Sequence, residues 1–194
     1  MKQELCSAQL RLHGGKIHLK KIVPEHLTAI IHKLEECGCK IQTKKESIYL
    51  EAPKKLKSIE IKTMQYPGFP TDMQSVLGSC LTIAKGTSLI VENIFENRYK
   101  YINELKKMGA KATIEGKICV IKGTRRIYGA EVNATDLRGG AGLVLAGLCA
   151  KGKTIVNNAE YILRGYEDFD GKIRSLGGNI EIVDDDRDTQ TVSL

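Results

Sequence analysis

Tryptophan is absent from this chain, and aromatic residues of all kinds make up only 5% of it. Proteins that bind nucleic acid through base stacking need a platform of exposed aromatic rings beside a dense basic patch. With few rings and no dense basic run, the composition argues against that class. We therefore expect no nucleic-acid partner.

Long apolar segments are also missing. No run of 18 apolar residues occurs, which is the length that a membrane-spanning helix needs. Residues 1–4 lead into no apolar stretch of the kind found in a secretory signal. We expect a cytoplasmic protein with no membrane partner.

Cysteine motifs for metal binding are not found either. The six cysteines are scattered, and the C-x-C of Cys37 and Cys39 has the wrong spacing for a zinc knuckle, with no second pair behind it. Apolar surroundings favour buried, reduced thiols. We expect no metal site at these cysteines, and nothing in the sequence implies another metal or an organic cofactor.

Acidic residues are fewer than basic ones, 23 against 30, and the net charge is +7. Residues 184–188 contain four aspartates and one arginine and so carry −3, which leaves +10 on the rest of the chain. By charge alone, a basic body suits an anionic partner such as nucleic acid, a nucleotide or a phosphorylated metabolite.

An internal repeat is the strongest pattern in the sequence. Three segments read as a glycine, a strand of alternating apolar residues, a loop, a helix and a second glycine. They begin "GKIHLKKIV", "GTSLIVENI" and "GKTIVNNAE", at Gly15, Gly86 and Gly152. The closing glycines, which we expect in left-handed positions at helix ends, are Gly38, Gly109 and Gly177.

Each repeated segment continues into a hairpin pattern, and two of them are preceded by a strand, a Thr-Asp pair and an apolar helix. The complete unit is therefore strand–helix–strand–helix–hairpin. We predict a single α/β domain over residues 1–194, built from units at about 1–54, 55–124 and 125–194. The first unit is incomplete, because only "KQELCSAQLRLHGG" stands where its first strand and helix belong.

Two aspartates mark the starts of the apolar helices. Asp72 and Asp136 each follow a threonine, and aspartate at a helix start caps backbone N–H groups and is favoured by the helix dipole. Capping is the structural interpretation of both residues. A functional role for the carboxylates is the alternative.

Arg138 is unexpected in the first turn of a helix, where a cation opposes the dipole by roughly 0.3–1 kcal/mol. Gly139, Gly140 and Gly142 follow it closely, although each helical glycine costs about 1 kcal/mol relative to alanine. A bound anion approached by the backbone would account for both features. The alternative is an outward-facing arginine beside a tight packing contact.

Two further arginines occupy strand-to-helix loops. Arg98 lies in "IFENRYKY" and Arg164 in "ILRGYE", whereas the first unit has no arginine in that region. Arginine suits two-point recognition of carboxylate or phosphate. Surface salt bridges of these arginines with Glu96 and Glu167 are the alternative.

These motifs together carry a resemblance to a known family. The stretches "FPTDMQ", "IFENRY", "ELKKMGA", "GAEVNATDLRGGAGLVLAGL" and "ILRGYE" resemble the C-terminal part of the UDP-N-acetylglucosamine 1-carboxyvinyltransferases, the MurA family of enolpyruvyl transferases. The resemblance runs from about residue 15 to residue 182. It implies one lobe of a two-lobed fold, with three βαβαββ units around a pseudo-threefold axis.

The resemblance also implies a reaction, in which the enolpyruvyl group of phosphoenolpyruvate moves to the 3-hydroxyl of UDP-N-acetylglucosamine during peptidoglycan precursor synthesis. Asp72 would take the hydroxyl proton, and Arg138 and Arg164 would bind the phosphoenolpyruvate anions. Asp136 would orient neighbouring groups and Arg98 would hold the shape of the site. Ile94 would touch the sugar substrate through its backbone.

Two departures from the family pattern are visible. Gly139-Gly140 replaces an Ala-Ser pair, and Ile162-Leu163 replaces a more polar pair. The resemblance also implies a missing N-terminal lobe that carries a lysine, an arginine and a loop cysteine or aspartate. Two rival functions stay open: a non-catalytic module that binds a nucleotide sugar, and a binder of anionic polymers suggested only by the charge.

Overall fold

The computed structural model describes residues 15–185 and 189–194. Eleven strands lie in this part of the chain. They are β1 (Lys16–Lys20), β2 (Lys40–Lys44), β3 (Ser47–Glu51), β4 (Glu60–Lys62), β5 (Thr87–Val91), β6 (Lys111–Glu115), β7 (Ile118–Lys122), β8 (Glu131–Asn133), β9 (Ile155–Asn157), β10 (Glu181–Asp185) and β11 (Thr189–Ser193).

Six α-helices and two 3-10 turns connect these strands in the described part of the chain. The helices are α1 (Thr28–Glu36), α2 (Gln74–Leu81), α3 (Lys100–Lys107), α4 (Leu137–Gly147), α5 (Glu160–Leu163) and α6 (Phe169–Ser175), and the 3-10 turns are Pro24–Leu27 and Thr71–Met73.

The third repeat was expected to hold one helix after its strand. The structure divides it into α5 and α6, with Asp168 in a left-handed conformation before α6.

The strands form three sheets that follow the repeat. Their orders are β1-β3-β2, β4-β5-β7-β6 and β8-β9-β11-β10. In the second and third sheets the first two strands run parallel and the closing hairpin is antiparallel. This is the βαβαββ order expected from the sequence. The stretch expected to make the first unit incomplete, residues 2–15, lies outside the described residues except for Gly15, and the unit boundaries stay a prediction.

Glycine ends the helical segment of each repeat, as the pattern predicted. Gly38, Gly109 and Gly177 have φ values of +95°, +89° and +85°, a conformation that side chains disfavour. The chain can therefore reverse from the helix into the hairpin strand within one or two residues.

Two helices lie in the interior of the molecule. Every residue of α2 is buried, and so is every residue of α4 from Arg138 to Gly147. The two helices pack directly on each other, while α3 exposes one polar face. Alternating strand residues such as Ile90, Cys119 and Ile121 close the core from the sheet side.

Candidate functional site

Parallel strands place the candidate side chains at one end of their sheets. Asp72 lies in the 3-10 turn that follows β4, and Arg98 lies in the loop that follows the neighbouring parallel strand β5. Arg138 lies in the first turn of α4, directly after β8. Because parallel strands end at the same sheet edge, Asp72 and Arg98 can meet although they are far apart in sequence. Arg138 follows a strand of the third sheet and reaches them through the direct packing of α4 on α2.

Asp72 is held between two arginines. Arg98 donates from Nη2 to Asp72 Oδ1 at 3.1 Å, and Arg138 donates from Nη2 to Asp72 Oδ2 at 2.9 Å. The Asp72 side chain is 44% exposed, whereas that of Arg138 is only 8% exposed. The carboxylate is therefore the part of this cluster that faces solvent, with one cation on each oxygen.

The arginines set the charge state of Asp72. Partial burial by itself would raise the pKa of this carboxyl group, but the hydrogen bond and charge of Arg138, with those of Arg98, outweigh that effect. The pKa of Asp72 is therefore lowered below its ordinary value of 3.8. Asp72 is a carboxylate at neutral pH.

Arg138 has a second partner in Tyr166. Its Nη1 donates to the Tyr166 hydroxyl at 2.8 Å, and its guanidinium lies 5.4 Å from the centre of the Tyr166 ring. Burial would lower the pKa of Arg138, but the hydrogen bonds with Asp72 and Tyr166 raise it. The alternative of an outward-facing arginine is therefore wrong, since this cation is buried and paired.

The two aspartates differ in their capping roles. Asp136 caps α4, because its Oδ1 accepts from the backbone N–H groups of Arg138 at 2.9 Å and Gly139 at 2.8 Å. This confirms the capping prediction for Asp136. For Asp72 the capping interpretation is wrong, since neither the 3-10 turn nor α2 has a side-chain cap and the carboxylate is turned to the arginines.

Close packing explains the glycines of α4. A Cβ atom on Gly140 would lie 2.7 Å from Ile162 Cγ1, and one on Gly142 would lie 2.6 Å from Ser79 Oγ. On Gly139 it would lie 2.8 Å from the capping carboxylate of Asp136. Close packing therefore accounts for these glycines, and the close approach of a bound anion stays a prediction.

The loop arginines occupy two different environments. Arg98 pairs with Asp72 and lies 5.2 Å above the ring of Phe95, so the alternative salt bridge with Glu96 is wrong. Arg164 is exposed and stacks on Tyr161 at 5.2 Å.

Among residues 15–185 and 189–194, no carboxylate pairs with Arg164 and no hydrogen bond joins it to the Asp72 cluster. The alternative salt bridge with Glu167 is therefore wrong as well. Arg164 lies two residues before Tyr166, the partner of Arg138.

Ile94 lies in the same loop as Arg98, and its side chain is exposed. Its backbone N–H donates to Glu92 Oε1 at 2.9 Å, so this N–H group is already engaged within the chain. Sequence reasoning missed both Glu92 and Tyr166. Tyr166 stands in the "RGYE" part of a quoted motif, and Glu92 follows an apolar strand directly, but neither position reveals its contacts.

The described residues hold neither a metal-binding cluster nor a membrane-spanning helix. No group of three or more His, Cys, Asp or Glu side chains there could hold a metal ion. No helix among those residues has the length and apolar character needed to cross a membrane.

Known proteins are similar to this chain in both sequence and fold. A family model described as EPSP synthase (3-phosphoshikimate 1-carboxyvinyltransferase) matches residues 8–173. UDP-N-acetylglucosamine 1-carboxyvinyltransferase 1 of Caldanaerobacter subterraneus subsp. tengcongensis is 47% identical over 167 residues, which cover 86% of this chain and 40% of that protein. UDP-N-acetylglucosamine 1-carboxyvinyltransferase of Desulfofundulus thermocisternus is 49% identical over 166 residues, covering 86% of this chain and 68% of that protein.

Solved structures agree on the architecture. The enolpyruvyl transferase NikO from Streptomyces tendae superposes with a TM-score of 0.81 at 23% identity, covering 92% of this chain and 43% of that one. EPSP synthase from Acinetobacter baumannii gives a TM-score of 0.64 at 17% identity, covering 96% of this chain and 44% of that one. The prediction of one α/β lobe of the enolpyruvyl transferase fold is confirmed.

The chain spans only part of most of these proteins, 40% of the Caldanaerobacter relative and 42% of a second carboxyvinyltransferase from the same organism. The family match nevertheless covers most of the chain, and the Desulfofundulus relative is covered over 68% of its length. The chain belongs to the EPSP synthase family of enolpyruvyl transferases, and its relatives within that family are UDP-N-acetylglucosamine 1-carboxyvinyltransferases.

Proposed function

We propose that this chain forms one lobe of an enzyme that transfers the enolpyruvyl group of phosphoenolpyruvate to the 3-hydroxyl of UDP-N-acetylglucosamine and releases phosphate. The observation that carries the proposal is the half-exposed Asp72 carboxylate between Arg98 and Arg138. A carboxylate can accept a hydroxyl proton, and neighbouring guanidinium groups can hold an anionic co-substrate. The names of the relatives support the choice of substrates.

Asp72 would serve as the proton acceptor. Because its pKa lies below 3.8, it is ionised at neutral pH, but its intrinsic affinity for a proton is low. Correct placement of the hydroxyl and stabilisation of charge in the transition state must therefore supply much of the rate. The two arginines hold the carboxylate at one position and so favour such placement.

The anionic substrate would be held by Arg138 and Arg164 in different ways. Arg164 is exposed and stacked on a ring, so it can bind a carboxylate or phosphate without losing an ion pair. Arg138 is already engaged by Asp72 and Tyr166, and it would act mainly through its charge in a partly desolvated position.

Three further residues would shape the site. Asp136 fixes the start of α4 and hence the backbone of Arg138. Arg98 anchors one oxygen of Asp72. Ile94 would offer its carbonyl oxygen to a donor group of the nucleotide sugar, since its N–H is already engaged.

The rest of the enzyme would come from a second lobe. The chain corresponds to 40% of the Caldanaerobacter relative, and the remainder would close the cleft over the substrates. We place the reaction in the cytoplasm, in the synthesis of peptidoglycan precursors. The second candidate is a non-catalytic module that binds the nucleotide sugar.

Phosphate release tests the proposal. The chain is incubated with phosphoenolpyruvate, with and without UDP-N-acetylglucosamine, alone and with the separately produced N-terminal portion of the Caldanaerobacter relative. We expect little release from the chain alone, and release that needs both lobes and the nucleotide sugar. Asp72→Asn should abolish that release. Asp170→Asn, which removes an aspartate paired with Arg174 on α6, should leave it intact.

Calorimetric binding of UDP-N-acetylglucosamine separates the two candidates. Binding without turnover in the two-lobe mixture would favour the non-catalytic module. Absence of both binding and turnover would refute the proposed function.

A further inference from the structure

A buried carboxylate connects the parts of the site without belonging to it. Glu92 follows β5 directly and is only 1% exposed. It does not contact Asp72, Arg98 or Arg138 in any hydrogen bond of the described residues. A buried carboxylate is costly unless it is fully hydrogen-bonded, so the burial of Glu92 depends on the donors around it.

Four donors converge on the two oxygens of Glu92. Oε1 accepts from Thr63 Oγ1 at 2.8 Å and from the backbone N–H groups of Ile94 at 2.9 Å and Phe95 at 3.2 Å. Oε2 accepts from Thr71 Oγ1 at 2.9 Å. All four neighbours donate, and a carboxylate is a side chain that only accepts.

These donors come from three different segments. Thr63 follows β4, Thr71 opens the 3-10 turn that carries Asp72, and Ile94 belongs to the loop that carries Arg98. The hydrogen bonds of Glu92 therefore connect the turn that carries Asp72 to the loop that carries Arg98. Thr71 directly precedes Asp72, so its hydrogen bond to Glu92 acts next to the Asp72–Arg98 ion pair.

The repeat provides an internal comparison. The residues that directly follow the equivalent strands β1 and β9 are Lys21 and Asn158, not acids. Both have positive φ, at +58° and +57°, and Asn158 makes a long hydrogen bond of 3.5 Å to the carbonyl of Ala134. A glutamate is thus not needed to build the unit. It occurs in the unit that supplies both Asp72 and Arg98.

We propose that Glu92 is a positioning residue, which sets the separation of Asp72 and Arg98 through its hydrogen bonds to Thr71 and to the amides of Ile94 and Phe95. Its effect on substrate affinity rests on the proposed function. Its effect on the Asp72–Arg98 ion pair is independent of the proposed function.

The substitution Thr71→Val tests this by cutting only the link to the turn. Replacing Glu92 itself would leave four buried or part-buried donors without their acceptor and so endanger folding. Valine keeps the shape of threonine, and Thr71→Ser restores the hydroxyl. Thr124→Val is the matched control, because it removes a threonine hydroxyl that bonds to Thr82 O at the far end of α2.

The spectroscopic readout is the guanidinium signal of Arg98 in ¹⁵N-labelled protein at neutral pH, assigned with Arg98→Lys. Rotation of an ion-paired guanidinium is slowed, so its Nη–H signals should be resolved in the wild type, in Thr71→Ser and in Thr124→Val. They should be lost in Thr71→Val. Resolved Arg98 signals in Thr71→Val, unchanged from the wild type, would overturn the proposal.

Affinity for UDP-N-acetylglucosamine is the second readout. We expect Thr71→Val to lose on the order of tenfold in affinity, as when one hydrogen bond to a ligand is lost, with recovery in Thr71→Ser. If the wild type does not bind the nucleotide sugar but Thr71→Val still loses the Arg98 signals, the proposed function fails and the positioning role stands. If the wild type and Thr71→Val bind equally and keep the signals, the positioning role fails alone.

Discussion

At the scale of single residues, the hydrogen bonds of Arg138 offset the cost of placing a cation in the first turn of a helix. A cation in the first helical turn opposes the dipole by roughly 0.3–1 kcal/mol, whereas a hydrogen bond to a charged group contributes about 1.5–3 kcal/mol. The Arg138 guanidinium donates to the carboxylate of Asp72 and to the Tyr166 hydroxyl, and the Arg138 backbone N–H donates to Asp136. The helix start tolerates arginine because the surrounding groups are acceptors.

The Asp72→Asn substitution should destabilise the protein in a pH-dependent way. The pKa of Asp72 is lowered in the folded state, so its stabilisation is present above its unfolded pKa and is lost as the pH falls through the folded value, below 3.8. Because the carboxylate is 44% exposed, solvent screens the pairs, and we expect a loss of about 1 kcal/mol at pH 7. Urea unfolding of both proteins at pH 7, 4 and 3 measures it.

The difference between wild type and Asp72→Asn should shrink as the pH falls below 3.8, because protonated aspartate and asparagine are both neutral. A difference that stays constant with pH would show that the loss comes from shape and not from charge. Asp170→Asn on α6 provides the comparison with an aspartate paired to a single arginine.

At the scale of elements, the crossing of α2 and α4 decides where Arg138 stands relative to Asp72. Gly142 allows this approach, since a Cβ there would lie 2.6 Å from Ser79 Oγ and 2.9 Å from the backbone oxygen of Ser75. A hydroxyl can rotate away, but the Ser75 carbonyl belongs to α2 and can move only with the helix.

Gly142→Ala should therefore separate the two helices. Alanine gains about 1 kcal/mol in helix propensity, but overpacking of a core costs typically about 1–3 kcal/mol, so we expect a net destabilisation of roughly 1 kcal/mol. Thermal or urea unfolding measures it. Asn103→Ala on the exposed side of α3 is the control and should be neutral or slightly stabilising. A gain in stability from Gly142→Ala would contradict the packing interpretation of this glycine.

The left-handed helix ends can be tested at Gly177. Its φ is +85°, and no atom lies within 4 Å of a Cβ placed there, so substitution changes only the backbone preference. Gly177→Ala should cost about 1 kcal/mol in the free energy of unfolding, and Gly177→Asn should cost less, because asparagine tolerates this conformation. Equal stability of all three proteins would show that the helix end does not need a left-handed residue.

At the scale of the whole molecule, the interior encloses most of the described thiols. Cys37, Cys39, Cys80 and Cys119 are buried in the core. Burial raises the pKa of the Cys119 thiol to about 12, so almost no thiolate forms at pH 8.

Cys119 should therefore resist alkylation in the folded protein. We expect no labelling of its peptide by iodoacetamide at pH 8 under native conditions and complete labelling in urea, as read by mass spectrometry. Rapid native labelling of Cys119 would mean that the sheet β4-β5-β7-β6 opens far more readily than its buried inner face suggests.

The sequence by itself determined the features that depend on near neighbours. Alternating apolar residues, glycines at helix ends and aspartate before an apolar helix act within a few positions, so the repeat, the three hairpins and the Asp136 cap could all be predicted. The resemblance in five short motifs led to the family. Unit boundaries and the roles of Asp72, Arg98, Asp136, Arg138, Arg164 and Ile94 in binding or catalysis remain proposals.

Only the tertiary structure decided which groups meet. Asp72 is 26 residues from Arg98 and 66 from Arg138, and no local pattern fixes contacts over such distances. Helix packing and the parallel strands bring these side chains together, so that Asp72 pairs with two arginines and does not cap a helix. They also bury Glu92 among four donors. These outcomes depend on the relative placement of whole elements, which is set by the packing of the core and not by any single stretch of sequence.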